Sequence, residues 1–345
     1  IYISRSGGGT FNVEALDGDL FNVIKDEINN VSDLPTACKH GYIVRVVNSQ
    51  DTVVDDYYLK FFGENGRDGE GHWEECLKPG QKYQFNAGTM PHILQRTGPT
   101  TMSLGPWEWA DKEVGDEFTN RNPSFVSVLA SSGYPAEDRR ITKVLFHRNR
   151  LVMLSGSHVI LSQPDNLNNF WNKTALTFSG KDRIDISSSS SSPNQLVEGI
   201  EMNTGLVLFS STAQYLFATD SDILNPETAK IYSLSNHNYD VFSSPFSLGT
   251  TIGFTSTIGR YSRFFEMNDI RTTGEPQIID QSKVIPRLLP QFIDTIGNAK
   301  ENTHLFFGKK FTRDVYGFKF FNAGDKISLY SINGFKLLSL PLHLL

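Results

Sequence analysis

The chain has 345 residues, of which 39% are hydrophobic and 20% charged, and its 25 Phe and 12 Tyr stand against four Trp and five Met. This excludes disorder for the bulk of the chain and favours aromatic-rich strands over Leu- and Ala-rich helices. The net charge of −6 excludes a generally basic surface of the kind that coats nucleic acid.

Ser6 to Thr10 is a Gly-rich turn that lacks the spacing and the Gly-Lys-Ser/Thr of a phosphate-binding loop. Leu20, Phe21, Ile24, Ile28 and Val31 then recur at helical spacing behind Asp17 and Asp19. That spacing predicts a helix over 17–31, stopped by Pro35. The β-branched and aromatic runs 42–47, 57–62 and 73–77 predict strands, and with the helix they make a small N-terminal α+β module. The turn from Gly63 to Gly71 holds Glu64, Asp68 and Glu70. It lacks the alternating ligands of a calcium loop and reads as a solvated hairpin tip. Residues 98–125 are irregular, rich in Pro, Gly and Trp, and form a junction.

From about residue 140 a pattern repeats: an apolar strand, a tight turn, a second strand. With Leu151, Leu206, Ile252 and Leu305 as anchors, the steps are 55, 46 and 53 residues. Units near 50 residues suit the blades of a β-propeller, and the loose period leaves it open to being incomplete or irregular. A β-sandwich meander is the alternative. The run Ser187 to Ser192, closed by Pro193, predicts an exposed loop.

Charge divides the chain in the same place. Residues 1–120 carry 10 Lys+Arg and 19 Asp+Glu, net −9; residues 121–345 carry 22 and 19, net +3. We therefore expect two domains, the α+β module over 1–120 and the blade array over 121–345, the latter continuing beyond the chain. The first residue is Ile1 rather than Met, so 345 is taken as a minimum length. No run approaches the ~20 apolar residues of a membrane span, and the residues from Ile1 onward show no basic stretch followed by an apolar one of the signal-peptide kind. Cys38 and Cys76 make neither a disulfide framework nor a zinc motif, and free thiols are expected.

Motifs for chemistry are missing: no nucleophile elbow, no His-Glu-x-x-His, no Walker loop. Carboxylate pairs such as Asp55-Asp56 and Glu74-Glu75 lie on adjacent strand positions, which point to opposite faces and cannot converge on one substrate. The sequence therefore predicts no catalytic, cofactor or metal residues. The one dense basic cluster is Arg139, Arg140, Lys143, Arg148 and Arg150. It reads either as a phosphate-facing or subunit-bridging patch or, more plainly, as salt bridges flanking a strand, and the plainer reading is favoured.

Arg148-Asn149-Arg150-Leu151, Leu154-Ser155-Gly156, Val159-Ile160-Leu161-Ser162 and Asn169-Phe170-Trp171 together resemble one family, the nozzle proteins (tail tubular protein B) of short-tailed bacteriophages. Further short matches run in order from about 1 to 325. Ahead of that stretch are Lys39-His40-Gly41-Tyr42, Asp56-Tyr57-Tyr58, Thr89-Met90-Pro91-His92, Trp107-Glu108-Trp109, Gly115-Asp116, Thr119-Asn120 and Pro123-Ser124-Phe125-Val126; behind it are Asp182-Arg183-Ile184-Asp185 and the 208–215 stretch. Gln163 replaces the family's usual Arg, and 331–345 departs from the expected Trp-bearing strand.

The resemblance implies a non-enzymatic virion protein assembled in the host bacterial cytoplasm. It implies a homo-hexameric ring below the adaptor ring of tail tubular protein A. The lumen would carry double-stranded DNA during ejection without sequence recognition, and the outside would hold tail fibres and meet the host outer envelope. It also implies a central β-propeller. DNA would be held off by like charge, with the turn of Glu64, Asp68 and Glu70 a candidate lumen or loop element. The alternative is a glycan-binding or glycan-degrading β-propeller at the host surface, with Trp73 and Trp107 as exposed aromatics; an intracellular scaffold is a third.

Overall fold

The computed structural model describes the chain apart from residues 1–2, 4–5, 8, 18–22, 48–55, 126–139, 178, 189–193, 222, 284, 300–303, 324–325 and 337–345. Arg139, the start of the predicted helix, most of the serine run and the apolar end at 337–345 thus lie outside the described residues. What is described is mainly β: 23 strands, two short 3-10 turns and no α-helix. Two compact units form. One comprises 1–123 and 162–183, the other 124–161 and 184–345.

The first unit is built on a five-stranded sheet. Its strands are β1 (Glu27–Ile28), β2 (Ala37–Cys38), β3 (Ile43–Val46), β4 (Tyr57–Gly63) and β5 (Gly69–Cys76), in the order β1-β3-β4-β5-β2. In β4 burial alternates with the pleat: Tyr57, Leu59 and Phe61 face inward. Tyr57 and Leu59 pack with Ile28, Val44, Val46, Ala175 and Leu176, and Phe61 meets the Trp73 ring at 5.2 Å. A separate hairpin, β6 (His92–Arg96) and β7 (Met102–Pro106), completes the unit.

The expected helix over 17–31 is corrected here. From Val23 the chain runs non-helically, and β1 pairs in parallel with β3. The carbonyls of Asp26 and Ile28 accept the N–H groups of Arg45 and Val47, both at 2.8 Å. Ile24 and Ile28 do face a core, as their spacing says, but from the edge of a sheet. Asn30 then accepts the Ser32 N–H at 3.1 Å and caps the 3-10 turn Val31–Asp33. Such local side-chain bonds compete with helix continuation. The described part of the N-terminal module is therefore all β.

The second unit holds four four-stranded antiparallel sheets, each pairing its strands in chain order. The first is β8 (Ile141–His147), β9 (Arg150–Ser155), β10 (His158–Leu161) and β11 (Ile184–Ser187). The second is β12 (Leu196–Met202), β13 (Gly205–Ser210), β14 (Gln214–Thr219) and β15 (Ala229–Ser235). The third is β16 (Phe246–Ser247), β17 (Ile252–Ile258), β18 (Tyr261–Asn268) and β19 (Gln277–Asp280). The fourth is β20 (Thr295–Ala299), β21 (His304–Gly308), β22 (Asp314–Ala323) and β23 (Lys326–Lys336). Each repeat anchor, Leu151, Leu206, Ile252 and Leu305, falls on the second strand of one sheet.

Successive sheets stack face to face. Leu206 and Leu208 of β13 pack toward Val152, Leu154 and Leu161 of the first sheet. Their neighbours Val207 and Phe209 point the other way, toward Ile252, Phe254 and Met267 of the third. Phe246 and Phe264 join the third sheet to Leu305, Phe307 and Phe318 of the fourth. A strand covered on both faces reads as a continuous apolar run, as β13 does. Each such side chain contributes about 1.5–3 kcal/mol on burial.

Candidate functional site

The basic cluster starts from the β8–β9 hairpin. Arg148 and Asn149 occupy its two-residue turn with φ of 45° and 60°, the left-handed pair that matches the twist of the flanking strands. The side chains of β8 reach the neighbouring β12. Thr142 Oγ1 donates to the Leu196 carbonyl at 2.6 Å, Lys143 Nζ lies 2.5 Å from Glu198 Oε1, and His147 Nδ1 lies 3.2 Å from Glu201 Oε1. Between them Leu145 fills the space over Gly199, where a Cβ would come within 2.6 Å of Leu145 Cδ1.

Arg150 is 2% exposed, and its Nη2 donates to the Leu224 carbonyl at 3.4 Å. Arg140 and Arg148 are exposed and flank opposite ends of the seven-residue β8, about 26 Å apart at strand rise. The described members of the cluster thus serve sheet packing or lie apart. Arg148 also lines an open cleft of about 350 Å³ with His147, Glu201, Asn203 and Gly249. Burial holds the His147 imidazole below its ordinary pKa; Glu201 opposes this and Arg148 adds to it. Neither His147 nor the cleft was singled out from sequence, because their partners arrive 54 or more residues later.

The acidic turn holds its three carboxylates at an exposed hairpin tip. Glu64, Asp68 and Glu70 all face solvent, and Asp68 Oδ1 accepts the His40 N–H at 2.9 Å. Gly63 and Gly71 pair across the strands, and a Cβ on Gly71 would lie 2.2 Å from the Phe62 carbonyl oxygen. The adjacent carboxylates of β5 do diverge. Glu74 meets His72 at 2.9 Å, while Glu75 accepts Thr174 Oγ1 and the Ala175 N–H, both at 2.8 Å. Trp73 donates Nε1 to the Pro35 carbonyl, and Trp107 packs 5.0 Å from Trp109. Cys38 and Cys76 are free thiols, as expected, and burial pushes the Cys76 thiol up to about 11.

A buried polar network in the first unit joins residues that the sequence marked only as family matches, Asp116, Thr119, Asn120 and Trp171, to Lys112. Lys112 is 2% exposed, donates Nζ to the Asp116 carbonyl at 2.8 Å and sits 5.5 Å over the Trp171 ring. Burial, with the Arg183 cation adding to it, lowers the Lys112 pKa to about 8 against the pull of Asp116. Burial raises the Asp116 carboxyl, but hydrogen bonds from Thr119 and Phe118 outweigh it and leave the pKa lowered. Asn120, fully buried, donates Nδ2 to the carbonyls of Val114 and Asn172 and accepts the Asn172 N–H. Trp171 Nε1 donates to the Ala110 carbonyl, and Gln163 donates Nε2 to the Trp171 carbonyl. The Asp116-x-x-Thr119 spacing, typical of a side-chain-capped turn, was the available signal.

These features describe a β-sheet protein whose charged and polar groups chiefly hold sheets and loops together. No group of three or more His, Cys, Asp or Glu placed to hold a metal occurs among the described residues. The chain belongs to the bacteriophage nozzle protein family, whose model matches residues 1–338. It is 26% identical over 287 residues to tail tubular protein gp12 of Escherichia phage T7, across 82% of this chain and 34% of that one. The chain therefore spans about a third of that relative's length. Membership makes it a structural protein of the phage tail and a virion component.

Among solved structures, a candidate 6-phosphogluconolactonase from Bacteroides uniformis superposes with a TM-score of 0.40 at 11% identity, over 87% of this chain and 82% of that one. Another from Bacteroides fragilis gives 0.34 at 8%, over 87% and 94%. At those values neither fold nor activity carries over.

Proposed function

We propose that the chain is part of a nozzle subunit that assembles as a homo-hexameric ring, conducts DNA during ejection, docks on the adaptor ring of tail tubular protein A and anchors tail fibres. The observation that carries this reading is the family match over 1–338. The four stacked sheets support it as blades of a propeller-type array, since each buries faces that no single sheet could cover alone. The acidic 1–120 stretch, net −9, supports a conduit that repels phosphates and lets DNA slide. Electron microscopy and native mass spectrometry of the purified protein test this. Six-fold rings with an open lumen are expected, and a protein that stays monomeric at high concentration refutes it.

A further inference from the structure

One end of the third and fourth sheets gathers exposed aromatic rings. In each four-stranded meander the turn between the second and third strands and the crossover to the next sheet lie at one end. For the first two sheets those turns are Gly156-Ser157 and Ser211-Thr212. Around the last two, exposed rings gather: Tyr261 at the start of β18, Phe242 on the crossover into the third sheet, Phe292 on the crossover into the fourth and Phe311 on the β21–β22 turn, at 36%, 62%, 42% and 83% exposure.

The rings stand on a joined scaffold. Phe242 and Phe292 meet edge to face at 5.7 Å, the Phe292 N–H donates to Thr257 Oγ1, and Tyr261 bridges to Pro290. The β21–β22 turn is tied in through Lys309, whose Nζ donates to the Gln291 carbonyl, and through the Lys310 N–H on Asp294. At roughly 200 Å² per aromatic side chain, the four rings leave about 450 Å² exposed. That equals the largest apolar patch of a typical monomer, about 300–600 Å², a size that is often functional.

Phe292 and Phe311 also have φ of 58° and 63°, a conformation disfavoured for bulky side chains and characteristic of functional surfaces. The rim is cationic. Arg260, Lys310 and Arg313 are exposed, Asp240 is buried against Thr257, and Asp294 is turned onto backbone, leaving Asp314 as the exposed carboxylate of the turn.

We propose that this aromatic, cation-rimmed face receives a second copy of the chain through its exposed acidic tip, Glu64 and Glu70, which then meets a neighbour while the rest of 1–120 is left to face the lumen. The proposal rests on the ring reading and names a contact that would build the ring; a head-to-tail contact of unlike surfaces is the kind that closes rings. Charge complementarity within one sequence selects a second copy as the occupant.

The test uses the full chain in sedimentation velocity and mass photometry. Phe311→Gly removes the ring from a left-handed position that glycine adopts freely, so it is expected to keep or raise the urea midpoint while weakening self-association at least tenfold. Lys310→Glu with Arg313→Glu is expected to weaken it likewise, as is Glu64→Lys with Glu70→Lys. Mixing those two double variants should restore assembly, because alternating copies then meet with unlike charge at every contact. If wild type assembles and the variants assemble equally, or mixing restores nothing, this face is overturned while the ring reading stands. A wild type that never assembles overturns both. Assembly unchanged by Phe311→Gly, with loss of binding to phosphatidylglycerol vesicles, would assign the face to lipid and overturn the proposal.

Discussion

The Lys112 ammonium is buried at a position that favours its neutral form, and this makes a signed prediction about stability. An unfolded lysine titrates at 10.5, whereas the folded group titrates at about 8. Between those values the unfolded chain binds more protons than the folded one, so stability rises with pH. Below pH 8 the folded state carries the full penalty, about 3 kcal/mol at 1.36 kcal/mol per pH unit. Raising the pH from 7 to 10 should relieve about 2.5 kcal/mol of it. Lys112→Met keeps an unbranched stem over the Trp171 ring, loses the bond to the Asp116 carbonyl and removes the titration. Urea unfolding of both proteins at a series of pH values, followed by tryptophan fluorescence, isolates this group because all other titrations cancel in the difference. The wild type should gain about 2.5 kcal/mol on the variant across that range. Parallel profiles would show that the ammonium is not desolvated and would refute the reasoning.

Three further outcomes follow from local geometry. Gly71→Ala puts a Cβ 2.2 Å from the Phe62 carbonyl oxygen, a backbone atom that cannot swing aside, and should cost about 1–3 kcal/mol in chemical denaturation; an unchanged midpoint contradicts it. Lys143→Met strands the buried Glu198 carboxylate and should cost on the order of 2–3 kcal/mol, most of it recovered by adding Glu198→Gln. If the second change deepens the loss, the pair is not what holds β8 to β12. A thiol reagent at pH 8 should modify Cys38 promptly and Cys76 only after unfolding, because Cys76 is buried and its pKa stands at about 11; two equally fast thiols by mass spectrometry would count against the core placement.

What was legible in the sequence was the part governed by neighbours along the chain. The runs 205–209 and 251–255 are bounded by turn residues and stiff at Cβ, so they predict strands wherever they pack, and strands they are. The helix over 17–31 failed because four-residue spacing is satisfied equally by a chain that crosses a sheet edge and then turns, and the Asn30 cap favoured the turn. The return of 162–183 to the first unit was invisible for a different reason. Its ties are Trp171 to Ala110 and Thr174 to Glu75, 61 and 99 residues apart, and neither leaves a periodic trace.

The basic cluster shows where more was available. Thr142 meets Leu196, Lys143 meets Glu198 and His147 meets Glu201 at separations of 54, 55 and 54 residues. The first repeat step, from Leu151 to Leu206, is 55. A repeat of stacked sheets places each strand beside its equivalent one unit later, so the period that marks the sheets also pairs their side chains. Carried through, the step assigns Glu198 and Glu201 of β12 to Lys143 and His147 of β8, which sets Lys143 of the cluster against the next sheet. Spacing between like residues marks the strands; spacing between polar and charged partners, taken at the same period, locates the contacts that join the first sheet to the second.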